Sequence, residues 1–519
     1  MKRHISIVGL LFMSMSAIIG SGWLFAASYA DTLAGSAALI SWIIGGVLVI
    51  IIAFVFAEVC TIVPVIGSSS RIPHFTHGSL TSYTFAWITW LSYLIYAPTE
   101  VQATIQYLSV KYPSLTVSGA GALSAHGYIL AAIILLLFSI INVYSIRWLV
   151  RANSILTVIK VFIPVFVSIV ILCYFFTSFG KVMHPAGAAF STHGLHGILT
   201  AISVGGIIFA FNGFKLAAEM AGECKNPKTA LPIAIIGSVI ICLVIYLLLQ
   251  IAFLSAISTT SELANSHLGP FASLAKAHNL KMLVPFIYAG AIIAPIAAGL
   301  MYFSSASKSL YGMSQNGYLP KIFGKINSHD NPAYAIIITF IVGLLIFIFF
   351  KGWDTMASII TVLFALTYVV GPISLSTLRK KLPKIYRPFR LKFGHFWAFL
   401  AFFAATLMFY WCGWETVYKA DIIIVLGIIC LFIYKFYNRK TVHIELNFIQ
   451  SIWLWIYLIG ASLISYLSTF GGLNILSNAV ASILLLILCG ITLLLAMHMT
   501  RTPEEIQKSI GEAINMNRE

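Results

Sequence analysis

Long apolar runs separated by short polar connectors repeat along the whole chain. Fourteen of them are long enough to cross a hydrocarbon core of roughly 30 Å as helices: about 5–30, 36–63, 81–110, 128–146, 153–177, 198–221, 231–254, 284–311, 333–350, 355–377, 395–414, 421–437, 448–468 and 476–498. Two runs are interrupted. The first holds Ile18-Ile-Gly-Ser-Gly-Trp23 at mid-depth, and the sixth holds Val204-Gly-Gly206, then Phe209-Ala-Phe-Asn-Gly-Phe214 and Lys215. Glycine and asparagine disfavour a helix interior, and a helix in lipid must satisfy its own backbone, so these stretches are expected where the helix opens. An opened helix presents free N–H groups on one side of the break and free carbonyls on the other. A zwitterionic solute needs both. For the first run alone, close helix packing explains Gly20, Ser21 and Gly22 equally well. Two interrupted runs, each first in a block of five and opposite in direction, favour the opened reading and point to an inverted-repeat transporter.

The polar residues inside the runs come next. Tyr93, Tyr96, Glu100, Thr104 and Tyr107 recur at three to four positions and share one helical face. A carboxyl group on that face is costly in lipid and is expected to look into an interior cavity. Lys160 lies two turns inside the fifth run, either snorkelling to the interface or serving a buried site. Lys215 either meets an acidic substrate side chain, pairs with Glu100, or points into a water path.

Composition agrees with a polytopic membrane protein. The 519 residues are 60% hydrophobic and 9% charged, against about 25% charged in soluble domains. The net charge of +16 does not call for a nucleic-acid partner. With the N-terminus placed in the cytoplasm, about 23 of the 31 Lys and Arg residues fall on that side. This predicts a multi-pass protein of the cell membrane with both termini cytoplasmic. The first run has no small-residue cleavage pattern and is expected to stay as a helix. Seven scattered cysteines include no C-x-x-C pair, and thirteen histidines form no H-E-x-x-H set, so neither a metal nor an enzyme is indicated. Histidines His126, His184, His193, His196, His267 and His278 fall on outer loops, where they either sense acid or are passive. Past 500, Thr502, Pro503 and Glu505 spell a capping box opening a short soluble helix.

Several stretches, in order, resemble the amino acid–polyamine–organocation superfamily: Gly20-Ser-Gly-Trp-Leu-Phe25, Ala57-Glu58 with Pro64, Asn142 to Arg147, Phe209 to Phe214, Glu223-x-x-Asn-Pro227, Leu310-Tyr with Asn316-Gly-Tyr-Leu-Pro320, and Arg387-Pro-Phe-Arg390. Together they cover most of 1–392. The fourteen-run length and Tyr410-Trp-Cys-Gly-Trp-Glu-Thr-Val417 look closest to the bacterial aspartate–proton symporter group. The resemblance implies an all-α fold of the leucine-transporter type, a 5+5 inverted repeat with extra C-terminal helices. It divides the chain into four spans (1–152), a fifth (153–177), the inverted repeat with a basic loop (178–392), four accessory spans (393–500) and a tail (501–519).

It also implies roles. Backbone amides around Gly20, Ser21 and Gly22 would hold the substrate carboxylate. Carbonyls of Ile18, Phe209, Ala210 and Asn212, beside Gly213, would take its ammonium group, with Phe209 as outer gate. Lys160 matches the lysine that replaces a sodium ion in proton-coupled members, and a buried amine that exchanges a proton can bias inward-open against outward-open states. Ser304 and Ser305 would solvate Lys160, and Glu100 is either a second proton site or a structural partner. Lys215 departs from the family, where an acid is common.

The function expected is proton-coupled symport of an acidic amino acid such as aspartate or glutamate, without a cofactor, by a monomer or homodimer in the bilayer. Exchange of amino acids, or of an amino acid for its amine, is the alternative within the class. A nutrient sensor that binds without transporting is the alternative outside it.

Overall fold

The computed structural model describes residues 5–65, 68–117, 121–144, 146–175, 190–191, 193–257, 269–329, 331–438 and 445–516. Side chains at 68–70, 146–153 and 516 are not described, so Arg147 and Arg151 lie outside this account, as do His184 and His267. Among the described residues the regular structure is helical, with isolated bridges and no strand. Eleven helices or helix runs are long and apolar enough to cross a membrane.

The first span is broken into α1 (Ile7–Ile18) and α2 (Gly22–Ala34). It is followed by α3 (Ala38–Ile62), a connector helix α4 (Ser68–His77), α5 (Ser79–Ser109), α6 (Ala125–Tyr144) and α7 (Ile146–Tyr174). The sixth span is broken twice, into α8 (Gly194–Ser203), α9 (Ile207–Phe211) and α10 (Phe214–Glu219). Next come α11 (Pro227–Ala256), the short α12 (Pro270–Ala277), α13 (Leu283–Gln315), α14 (Ala333–Phe349), and α15 (Trp353–Tyr368) running on into α16 (Val370–Lys381). The last four spans are α17 (Gly394–Trp411), α18 (Trp414–Tyr437), α19 (Phe448–Leu467) and α20 (Asn478–His498), and α21 (Pro503–Met516) closes the described chain. Counting each broken helix once, these elements make the fourteen spans read from the hydrophobic runs.

The 31-residue α5 carries many hydroxyls and amides and is not apolar enough to be counted among the eleven. It is buried along nearly its whole length, which explains how such a sequence is tolerated: other helices, and not lipid, surround it. Lipid-facing helices show the opposite pattern. In α18 Ile422, Val425, Leu426, Ile429 and Ile433 are all exposed.

The two broken spans lie side by side and run antiparallel. At one end Ile5 N donates to the Glu223 carbonyl at 3.1 Å and Lys225 N to the Ile5 carbonyl at 3.0 Å, joining the start of α1 to the end of α10. At the other end α2 packs on α8, where the Cβ of any larger residue at Gly197 would sit 2.3 Å from the Leu33 carbonyl oxygen. Opposite directions are what an inverted repeat requires of its first helices. The accessory spans join this core at several places: the Met408 carbonyl of α17 accepts from Ser203 Oγ at 2.9 Å, and the Gly427 carbonyl of α18 accepts from the Tyr83 hydroxyl of α5 at 2.7 Å.

The tail helix is capped as its sequence demands: Thr502 N donates to Glu505 Oε2 at 2.9 Å and Glu505 N to Thr502 Oγ1 at 3.3 Å. It is not free in solvent, however. Ile506, Ile510 and Ala513 are buried on one face, α21 packs on α4, and Arg501 N donates to the Thr76 carbonyl at 3.0 Å. The i, i+4 apolar spacing within the tail is the reason it docks.

Candidate substrate and proton site

The break in the first span is built from backbone that no longer closes the i to i−4 ladder. Ile19 N still reaches the Met15 carbonyl, but Gly20 N turns back to the Ile18 carbonyl at 3.0 Å. Lys160 reaches the Ser16 carbonyl at this point from α7. Its Nζ donates to the Ser16 carbonyl and, at 3.2 Å, to Ser16 Oγ, and the side chain is buried. Snorkelling is therefore excluded. On the far side of the break Ser21 N, ahead of α2, donates to Glu100 Oε2 at 2.7 Å. A cation thus meets the C-terminal end of one half-helix and a carboxylate meets the N-terminal end of the other, the pairing that helix dipoles favour. At Gly20 a Cβ would lie 2.3 Å from Glu100 Oε1, so any larger residue has to displace that carboxylate.

In the sixth span Gly206 takes φ +85° and Gly213 φ +140°, conformations that side chains rarely adopt. Gly213 packs directly on the end of α1, since a Cβ there would fall 2.5 Å from Ile18 N. Gly22 meets Ala210 in the same way, with 2.7 Å from its would-be Cβ to that of Ala210. The two breaks are therefore face to face. Ile18, Gly20, Ser21, Gly22, Phe209, Ala210, Asn212 and Gly213 are all buried and come together in one place. Phe209 stacks on Tyr96 at 4.9 Å and meets Trp353 edge-on at 5.2 Å.

Three groups that sequence reasoning missed complete the site. The Tyr246 hydroxyl, from α11, lies 3.0 Å from both the Ile18 and Ala210 carbonyl oxygens. Trp353, opening α15, donates from Nε1 to Ser21 Oγ at 2.8 Å. Tyr368 donates to Asn212 Oδ1 at 2.7 Å. The available signal was a lone tyrosine or tryptophan in an apolar run, because a buried phenol or indole needs a polar partner.

Other expected residues lie elsewhere. Lys215 is buried near Glu219, one turn along α10, and its Nζ is 3.4 Å from Thr89 Oγ1. The expected pairing of Lys215 with Glu100 is not made, because Glu100 turns to Ser21 and Lys215 to Thr89 and Glu219. Ser305 Oγ donates to the Met301 carbonyl of its own helix at 3.1 Å, and among the described residues neither Ser304 nor Ser305 bonds Lys160. The shared polar face of α5 is buried as a stripe: Tyr93 reaches Glu219 at 3.4 Å, Thr104 the Ala291 carbonyl at 3.3 Å, and Tyr107 the Leu24 carbonyl at 3.2 Å. No group of three or more His, Cys, Asp or Glu suited to a metal occurs among the described residues.

Comparison with known proteins bears on this arrangement. A family model described as amino acid permease matches residues 5–432. The chain is 36% identical over 490 residues to the glutamate/serine transporter AimA of Bacillus subtilis (strain 168), covering 92% of this chain and 90% of that protein. It is 31% identical over 495 residues to the aspartate-proton symporter of the same organism, covering 94% of each. A methylthioribose transporter, again from Bacillus subtilis (strain 168), is 26% identical over 406 residues, 76% of this chain and 85% of its own length. All three are transporters by name, and none is an enzyme.

Proposed function

Because the chain belongs to the amino acid permease family, we propose that it takes up an acidic or small polar amino acid by proton-coupled symport. The observation that carries this reading is the pair of antiparallel broken helices whose loosened backbone groups converge beside a buried lysine and a buried carboxylate. Backbone at Gly20, Ser21 and Gly22 is assigned the substrate carboxylate. The carbonyls of Ile18, Phe209, Ala210 and Asn212 are assigned its ammonium group.

Lys160 and Glu100 are assigned the proton. Each bridges the first-span break to another helix, so a change of charge on either alters how the two halves of that span are held. The names of the first two relatives reported above support an acidic or hydroxylated side chain, and the buried Lys215, near Thr89 and Glu219, is assigned the selection of such a side chain. The proton gradient serves as the driving force without a bound cofactor. The protein is assigned to the cell membrane with both termini in the cytoplasm, on the side enriched in Lys and Arg.

Reconstitution in liposomes tests this. Labelled glutamate, aspartate and serine should accumulate when an inward proton gradient is imposed and should not when it is collapsed. Uptake that needs an internal amino acid or amine, and ignores the gradient, would make the protein an exchanger. Binding without uptake would make it a sensor. Lys160→Ala should lower concentrative uptake by about a hundredfold while substrate binding changes by less than about tenfold. Undiminished accumulation would remove Lys160 from the coupling.

A further inference from the structure

The position of Glu100 goes further than a place for a proton. Its Oε2 accepts from Ser21 N at 2.7 Å, and that N–H is one of the groups assigned to the substrate carboxylate. A side-chain carboxylate therefore sits where the carboxylate of an amino acid is to sit. The Ser21 and Tyr96 hydroxyls approach the carboxyl, but its other oxygen, Oε1, is buried and makes no full hydrogen bond among the described residues. The hydroxyl of Tyr302 and the Nδ2 of Asn212 are likewise buried without a partner among the described residues. Buried polar atoms left unmet are costly, and three around one break mark a place built for a polar ligand.

We propose that Glu100 is a resident stand-in for the substrate carboxylate, held on the Ser21 amide until an amino acid displaces it and set free when it takes up a proton. This rests on the reading of the site as an amino acid site and adds how proton and substrate become linked. An ionised carboxylate accepts strongly from a backbone N–H, and a neutral acid accepts weakly. Charged Glu100 competes with the substrate for Ser21 N, whereas protonated Glu100 yields it. The proton comes from water, rests on the Glu100 carboxyl while the substrate is bound, and is returned when Glu100 goes back to Ser21.

The groups facing Glu100 fit this exchange. Lys160 from α7 acts on it as a nearby positive charge, and the phenols of Tyr246 from α11, Tyr302 from α13 and Tyr96 from its own helix surround it. Among the described residues no second carboxylate acts on it. Ser21 N is its bond to the first span. Lys215 in the sixth span has Glu219 as its nearby charge, not Glu100.

The test measures equilibrium binding of labelled glutamate or serine to purified protein as pH falls from about 7.5 to about 5.5. The wild type should bind about tenfold more tightly at the lower pH. Glu100→Gln should bind at the tighter affinity throughout, with a flat profile. The corresponding amino acid amide, which has no carboxylate to compete for Ser21 N, should show no such pH gain on the wild type. That arm needs no variant and stands if Glu100→Gln does not fold. A pH slope in Glu100→Gln equal to that of wild type, or loss of binding in a folded Glu100→Gln, would overturn the proposal. So would an equal slope for the amide. If the wild type binds no amino acid at any pH, the reading of the site fails instead, and the two failures are distinct.

Discussion

Among the described residues two glutamates are sealed inside this protein, and they are held in opposite ways. Glu58, at the end of α3, receives Arg379 Nε at 3.0 Å and Arg379 Nη2 at 2.6 Å, Leu391 N at 2.9 Å, and has Arg387 Nε at 3.7 Å. Both of its oxygens are met, and it ties α3, α16 and the basic stretch after α16 into one knot. Glu100 has one strong bond, from Ser21 N, and an oxygen, Oε1, that makes no full hydrogen bond among the described residues. A buried charge with every lone pair satisfied is architecture, since any change leaves its partners stranded. One that is half satisfied has somewhere else to go.

That contrast is open to attack by mutation. Glu58→Gln should cost most, about 3–5 kcal/mol of stability, because two guanidiniums lose their buried counter-charge. Thermal unfolding in detergent measures this, and the matched Glu100→Gln should shift stability by less than about 1 kcal/mol. Equal losses would erase the distinction. Two glycines give a finer comparison. A Cβ at Gly394 would lie 1.9 Å from Arg379 Cζ and one at Gly20 2.3 Å from Glu100 Oε1. Gly394→Ala has to push the guanidinium off Glu58 and should cost about 1–3 kcal/mol. Gly20→Ala pushes a loosely held carboxylate, so uptake should fall about tenfold while stability moves by less than about 1 kcal/mol. The smallest effect is expected at Lys215. Lys215→Ala should weaken glutamate or aspartate uptake by about fivefold more than serine uptake, and an equal loss would separate Lys215 from side-chain selection.

Much of this was legible in the chain because its causes are local. Gly20-Ser-Gly22 and Asn212-Gly213 cannot hold a helix cheaply, and the helices do break there. Glu100 and Lys160 stood out because charge in an apolar run demands an interior partner. What each would touch was not legible. Gly20 N turns back to the Ile18 carbonyl in a way that no residue type announces, and Lys160 reaches the Ser16 carbonyl there from 144 positions away. The knot at Glu58 spans 321 positions to Arg379, and a lone carboxylate near a helix end gives no hint of it. Tyr246 and Trp353 gave only a weak signal for another reason: aromatic residues in lipid-spanning runs are ordinary, and only packing shows that their polar tips reach the breaks. The extra interruption at Gly206 was present as a glycine pair, and the wound turn from Ile207 to Phe211 between the two interruptions was not.

The rung between Ile5 and the Glu223–Lys225 stretch has a practical meaning. Two amide contacts made by one residue leave little slack, so Ile5 is a clasp that fastens the beginning of one split helix to the finish of the other. Any swing of the first is handed straight to the second. Cleaving the leading half-dozen residues, or burying them under a bulky fusion, would unfasten the pair and let each swing alone.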